Sequence, residues 1–139
     1  MSLRSSLRRG AITLISAGVL VGMAGAPAPA APGDIKYFKN SSGTDIASFQ
    51  WNADPHPGIA GESVRICDLE SDGWFITVKV TLASTGAQII VADTQGNPAW
   101  YCTPWIRQND APEGAQLNVT VKKVRAGDSR LLDFFPVWA

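Results

Sequence analysis

Between residues 74 and 82 this chain alternates with a period of two: Trp74, Ile76, Val78, Val80 and Leu82 share one face, while Thr77, Lys79 and Thr81 take the other. Only an extended backbone sends successive side chains to opposite sides, so the stretch is a half-buried β-strand whose apolar face needs a second layer. Its β-branched residues suit a pleated surface. Leu117, Val119 and Val121 alternate with Asn118, Thr120 and Lys122 in the same way, and the slip at Lys123-Val124 predicts a bulge or an edge. Shorter apolar runs lie at Ile35–Phe38, Ile46–Trp51, Ser63–Cys67, Ala87–Ala92, Ala99–Cys102 and Arg130–Val137, with Gly, Pro, Asn and Asp turns between them. A spacing of roughly ten residues predicts about seven or eight short strands in an all-β fold, a small antiparallel β-sandwich or partly open barrel. An immunoglobulin domain is not indicated, because Cys67 and Cys102 are too close in sequence and Tyr101 adjoins Cys102 instead of preceding it by two.

The N-terminus predicts where the chain works. Arg4, Arg8 and Arg9 precede an uncharged, mostly apolar run from Ala11 to Ala24 and then the small-residue stretch of residues 25–31. That order is a secretory signal peptide, and the run is short of the about 20 residues that span a bilayer. Cuts after Ala26, Ala28 or Ala31 would leave proline next, so cleavage is expected after Ala30. Arg8-Arg9 also raises the twin-arginine route, to which Gly10-Ala11 is a poor match. No cysteine follows the apolar run to carry a lipid. The expected organisation is a signal peptide over 1–30, a short linker over 31–34 and one all-β domain over 35–139, secreted, with no membrane insertion once the signal is removed.

Export makes oxidation of Cys67 and Cys102, the only cysteines, the expected state. The bond would close a loop of about 36 residues, worth about 4 kcal/mol by chain entropy. After residue 30 the chain carries nine basic residues against twelve carboxylates. With no dense basic stripe, nucleic acid is disfavoured as a partner. Lys122-Lys123-Arg125 is expected to be the solvated edge of a strand.

Val64-Arg65-Ile66-Cys67-Asp68, followed by Asp72-Gly73 and an alternating strand, resembles a pattern of small secreted actinobacterial proteins with a single disulfide. The resemblance implies a one-disulfide β domain and no catalytic residue.

Three local features are candidates for chemistry. Asp68, Glu70 and Asp72, ending in Gly73, resemble the first half of a calcium loop, although Lys79 stands where the closing glutamate belongs. The alternative is a hairpin tip between the Cys67 and Trp74 strands, with calcium a weak candidate and no other cofactor expected. Trp100, Tyr101 and Trp105 cluster around Cys102 in a chain of five tryptophans. Exposed aromatics bind sugar rings or anchor proteins, and because Trp100 and Tyr101 are adjacent, one is expected in the core and the other is the candidate platform with Trp105; the alternative is that the aromatics pack against the disulfide. The proline-stiffened loop 107–114 makes Arg107, Asn109, Asp110 and Glu113 candidates for contact with a protein partner, as in a bait segment; the alternative is an ordinary surface connection. Enzyme chemistry finds little support: the only histidine, His56, has no serine motif beside it, zinc lacks ligands, and no carboxylate pair is singled out. The expectation is a small secreted non-catalytic binding module for an extracellular glycan or cell-envelope surface. The alternatives are a protein-directed inhibitor or effector, or an extracellular structural protein with no discrete site.

Overall fold

The computed structural model describes residues 33–139; the predicted signal peptide and its cleavage point lie outside the described residues. Seven strands follow one another: β1 Lys36–Lys39, β2 Asp45–Asn52, β3 Ser63–Asp68, β4 Phe75–Leu82, β5 Gln88–Asp93, β6 Gln116–Arg125 and β7 Asp128–Trp138. They form two antiparallel sheets, one in the order β1-β2-β3 and one in the order β5-β4-β6-β7. The Cys67–Cys102 disulfide is formed.

The alternation seen in the sequence sets the inner faces. Ile76, Val78 and Val80 of β4 and Leu117, Val119 and Val121 of β6 are buried, against Phe38, Ala47, Phe49, Trp51, Val64 and Ile66 of the smaller sheet. Each of the larger of these side chains contributes about 1.5–3 kcal/mol by leaving water. β3 and β4 belong to different sheets, so the 68–73 segment is a crossover and not the expected hairpin. Its turn chemistry is nevertheless as expected: Gly73 has φ 74° and the Trp74 amide donates to Asp72 Oδ1.

The segment 101–109 laces one side of the sandwich. Cys102 and Ile106 bridge to Cys67 and Val64 of β3, and the Asp68 amide donates to the Tyr101 carbonyl. Gln108 then clasps β5, accepting from the Val91 amide at 2.9 Å and donating to the Val91 carbonyl at 2.7 Å. The strand expected at Ala99–Cys102 does not form, because Trp100 takes a left-handed backbone with φ 66°. Pro104, lacking an N–H, keeps the rest of the segment to isolated bridges. On the opposite side, side chains of β1 and β2 meet β7: Phe49 of β2 takes Phe135 edge-on at 5.3 Å, Lys36 of β1 pairs with Asp133 at 2.9 Å, and Trp51 Nε1 of β2 donates to the Trp138 carbonyl at 2.8 Å. A groove of about 690 Å³ remains there, lined by Lys36, Phe49, Trp51, Phe135 and Trp138 among others.

Two expectations about the basic residues of β6 are corrected. β6 lies inside its sheet, and Lys123 is 9% exposed instead of solvated, because it continues the inward row of Leu117, Val119 and Val121. The irregularity comes two positions earlier than expected, at Val121/Lys122, where pairing runs from Asp133 to Leu131 and leaves Leu132 as the extra residue of β7.

Candidate functional site

The acidic residues of the 68–73 crossover close one end of the core. Lys123 bonds both Glu70 and Asp72, and its ammonium lies 5.9 Å from the centre of the Trp74 ring. Arg125 and Arg130 approach the same ring at 4.3 and 4.7 Å. Burial pushes the Lys123 ammonium toward losing its proton, but the two carboxylates outweigh that and raise its pKa above the ordinary 10.5. Burial likewise opposes ionisation of Asp72, yet Lys123 and the Trp74 amide hold it below 3.8. Asp68 is raised by burial, against a hydrogen bond from the Glu70 amide. Of the three calcium candidates, Asp68, Glu70 and Asp72, the last two therefore already have a cation, Lys123. Among the described residues no three His, Cys, Asp or Glu side chains group as metal ligands do.

The aromatic candidates are dispersed. Trp100 is 70% exposed, while Tyr101 and Trp105 are half-buried, and among the described residues no ring pair links them. The loop candidates are largely turned on the protein itself. Arg107, Asp110 and Glu113 line a cleft of about 570 Å³ with Asp54, Glu62 and small apolar residues. There Arg107 pairs with Asp110 and, at 3.8 Å, with Glu62, which also accepts from the Ala111 amide at 3.0 Å. Asn109 donates to the Gln88 and Ile89 carbonyls at 3.3 Å, securing the end of β5.

A different surface brings together what recognition of an extended ligand requires: the outer face of the four-stranded sheet. β7 is its edge strand, so the alternation of its C-terminal half sends Phe135 and Val137 inward and Phe134, Pro136 and Trp138 outward. The extra residue Leu132 restores the phase so that Leu131 also points outward. Leu131, Phe134 and Trp138 are 61%, 57% and 58% exposed. Phe134 and Trp138 stand about 13 Å apart along the strand. With each side chain leaving on the order of 100 Å² in water, the stripe covers about 400 Å², the size of the largest apolar patch on many monomers and often functional. Pro136 is tolerated because this edge lacks a ladder partner, and it blunts pairing with another chain's strand.

Beside the stripe the face turns polar. The register sets out rows across the sheet: Gln116–Trp138; Thr81–Asn118–Pro136; Val91–Lys79–Thr120–Phe134; and Asp93–Thr77–Lys122–Leu131. Thr77, Lys79, Val91, Thr120 and Lys122 line a shallow trough of about 320 Å³. The sequence shows a strand at Arg130–Val137 but not its bare face, because an almost continuously apolar run lacks the alternation that tells a covered side from an exposed one. The available signal was Pro136, which belongs to an edge. Comparison of the chain with protein-family models, curated proteins and solved structures finds no match.

Proposed function

We propose that this protein is a non-catalytic extracellular binding module that takes a glycan or cell-envelope surface on the outer face of the β5-β4-β6-β7 sheet. One observation carries the proposal: exposed Leu131, Phe134, Pro136 and Trp138 form a stripe beside a band of hydroxyl, amide and ammonium groups. Sugar rings present C–H faces that lie on aromatic and apolar side chains, and an equatorial rim of hydroxyls that seeks donors and acceptors. The stripe supplies the first, and Asn118, Thr120, Thr77 and Thr81 supply the second. Rigid strands hold both in place, so little ordering entropy opposes binding. The platform thus moves from Trp100, Tyr101 and Trp105 to β7, while the kind of ligand stays that expected from the sequence.

The test is retention of the oxidised protein on insoluble cellulose, chitin and peptidoglycan. Trp138→Ala removes an exposed ring and leaves the carbonyl that holds Trp51, so the fold persists while retention falls about tenfold. Retention unaffected by Trp138→Ala and Phe134→Ala would reject the face.

A second reading, a protein-directed inhibitor or effector, is favoured by Trp100. A bulky residue at φ 66° is strained by about 1–2 kcal/mol, and strain of this kind gathers at functional positions. An anchor there would make Trp100→Ala abolish a stoichiometric complex with a protein partner and leave glycan retention intact.

A further inference from the structure

Building on the binding-module reading, we propose that the ligand of this face is an acidic polysaccharide, with its anionic groups held by Lys79 and Lys122. Lys79 pairs with Thr120 and Lys122 with Thr77 across the β4–β6 ladder, which makes the two lysines diagonal neighbours on one face. Diagonal side chains lie about 7–8 Å apart, and like charges so placed repel. Among the described residues, Lys36, Lys39, Arg107, Lys123, Arg125 and Arg130 have carboxylate partners, and Lys79, Lys122 and Arg65 have none. Arg65 stands by itself on β3 of the other sheet, so the two lysines are the unpaired cations that adjoin.

Carboxylates are not scarce, since twelve are available to nine basic residues after residue 30. Yet the outer face carries a single one, Asp93. It sits at the β5 end of its row with Thr77 between it and Lys122, and it accepts a hydrogen bond from the Gln95 amide at 3.0 Å. The pair of ammonium groups therefore awaits a counter-charge from outside the chain. The trough between them has threonine hydroxyls for sugar hydroxyls, and Phe134 and Leu131 flank it in the same two rows. Charge, hydroxyls and apolar faces in adjoining rows describe a polymer that is at once anionic and built of rings. A bare phosphate would not use the stripe, and a neutral glycan would not use the lysines.

The experiment measures retention of the oxidised protein on polygalacturonate beads, on cellulose and on chitin, as NaCl rises from about 50 mM to about 500 mM, a range over which screening grows severe. Lys79→Gln and Lys122→Gln are each expected to weaken retention on polygalacturonate about fivefold, and the double variant to abolish its salt dependence. Lys→Arg at either position keeps it. Both lysines are exposed, so the melting temperature stays that of the parent. Salt-independent retention on cellulose or chitin, indifferent to both Gln substitutions, would overturn the acidic ligand while leaving the binding module intact. Failure to bind any of the three polymers would overturn both. Capture by phosphatidylglycerol vesicles without capture by polygalacturonate would assign the face to a lipid surface and overturn the polysaccharide.

Discussion

Lys123→Met tests the account of the closed end of the core. The substitution keeps an unbranched stem over Trp74 but leaves Glu70 and Asp72 facing each other without a cation. Breaking a fully buried ion pair costs about 3–5 kcal/mol. Here the Lys123 side chain is 11% exposed but Glu70 and Asp72 keep 31% and 28%, so solvent screening reduces the expected loss to about 2 kcal/mol. In a domain of this size that lowers the melting temperature by about 10 °C. The pH dependence is more diagnostic than the size. Asp72 has its folded-state pKa lowered from 3.8, so its contribution is present above that value and lost as pH falls through the folded one. Lys123 has its pKa raised from 10.5, so its contribution is whole below that value and lost as pH rises through the folded one. Thermal melts followed by circular dichroism should therefore show the parent–variant gap widest between about pH 5 and about pH 10 and narrowing on both sides. Adding Asp72→Asn to the variant should recover part of the loss, because it removes one of the unpaired carboxylates. A gap under about 2 °C, or one unchanged from pH 7 to about pH 3, would refute the reasoning.

Further outcomes follow from particular residues. Cys67→Ser with Cys102→Ser should cost about 4 kcal/mol in chemical denaturation, since the loop they close spans 35 positions, and equal stability of parent and double variant would contradict it. Trp100→Gly should stabilise by about 1 kcal/mol, because glycine adopts φ 66° without the penalty, and a lower denaturation midpoint would count against strain at that position. Calcium should leave the melting temperature unchanged, because Lys123 already holds Glu70 and Asp72; a concentration-dependent rise would restore the calcium loop.

The architecture was legible where side chains alternate. β4 and the first half of β6 declared both their faces, and two cysteines with no third to compete declared their bond. What no single segment reveals is which strands become neighbours. Lys79 and Lys122 could each be placed on a polar face, but their adjacency depends on β6 docking beside β4 instead of beside β5. Lys123 reads as one more surface lysine, and only the crossover of residues 68–73 between the sheets gives it two carboxylates and a reason to point inward. Leu131–Trp138 shows a strand but not its faces, because hydrophobicity does not distinguish a strand covered on both faces from an edge strand with one face bare. Trp100 and Tyr101 follow a turn and precede a cysteine, which suggested a strand, but the left-handed backbone at Trp100 breaks the alternation that the expectation relied on.

The most direct measurement is a nitrogen–proton correlation spectrum of the indole groups during titration with a soluble oligogalacturonate. The five tryptophans report from five places: Trp51 in the core, Trp74 under the arginines, Trp100 on its loop, Trp105 beside β3, and Trp138 on the β7 stripe. Binding on the outer sheet face predicts that the Trp138 signal moves with saturation while those of Trp74, Trp100 and Trp105 stay. Movement of Trp100 or Trp105 with Trp138 unmoved, or no movement of any, would contradict it.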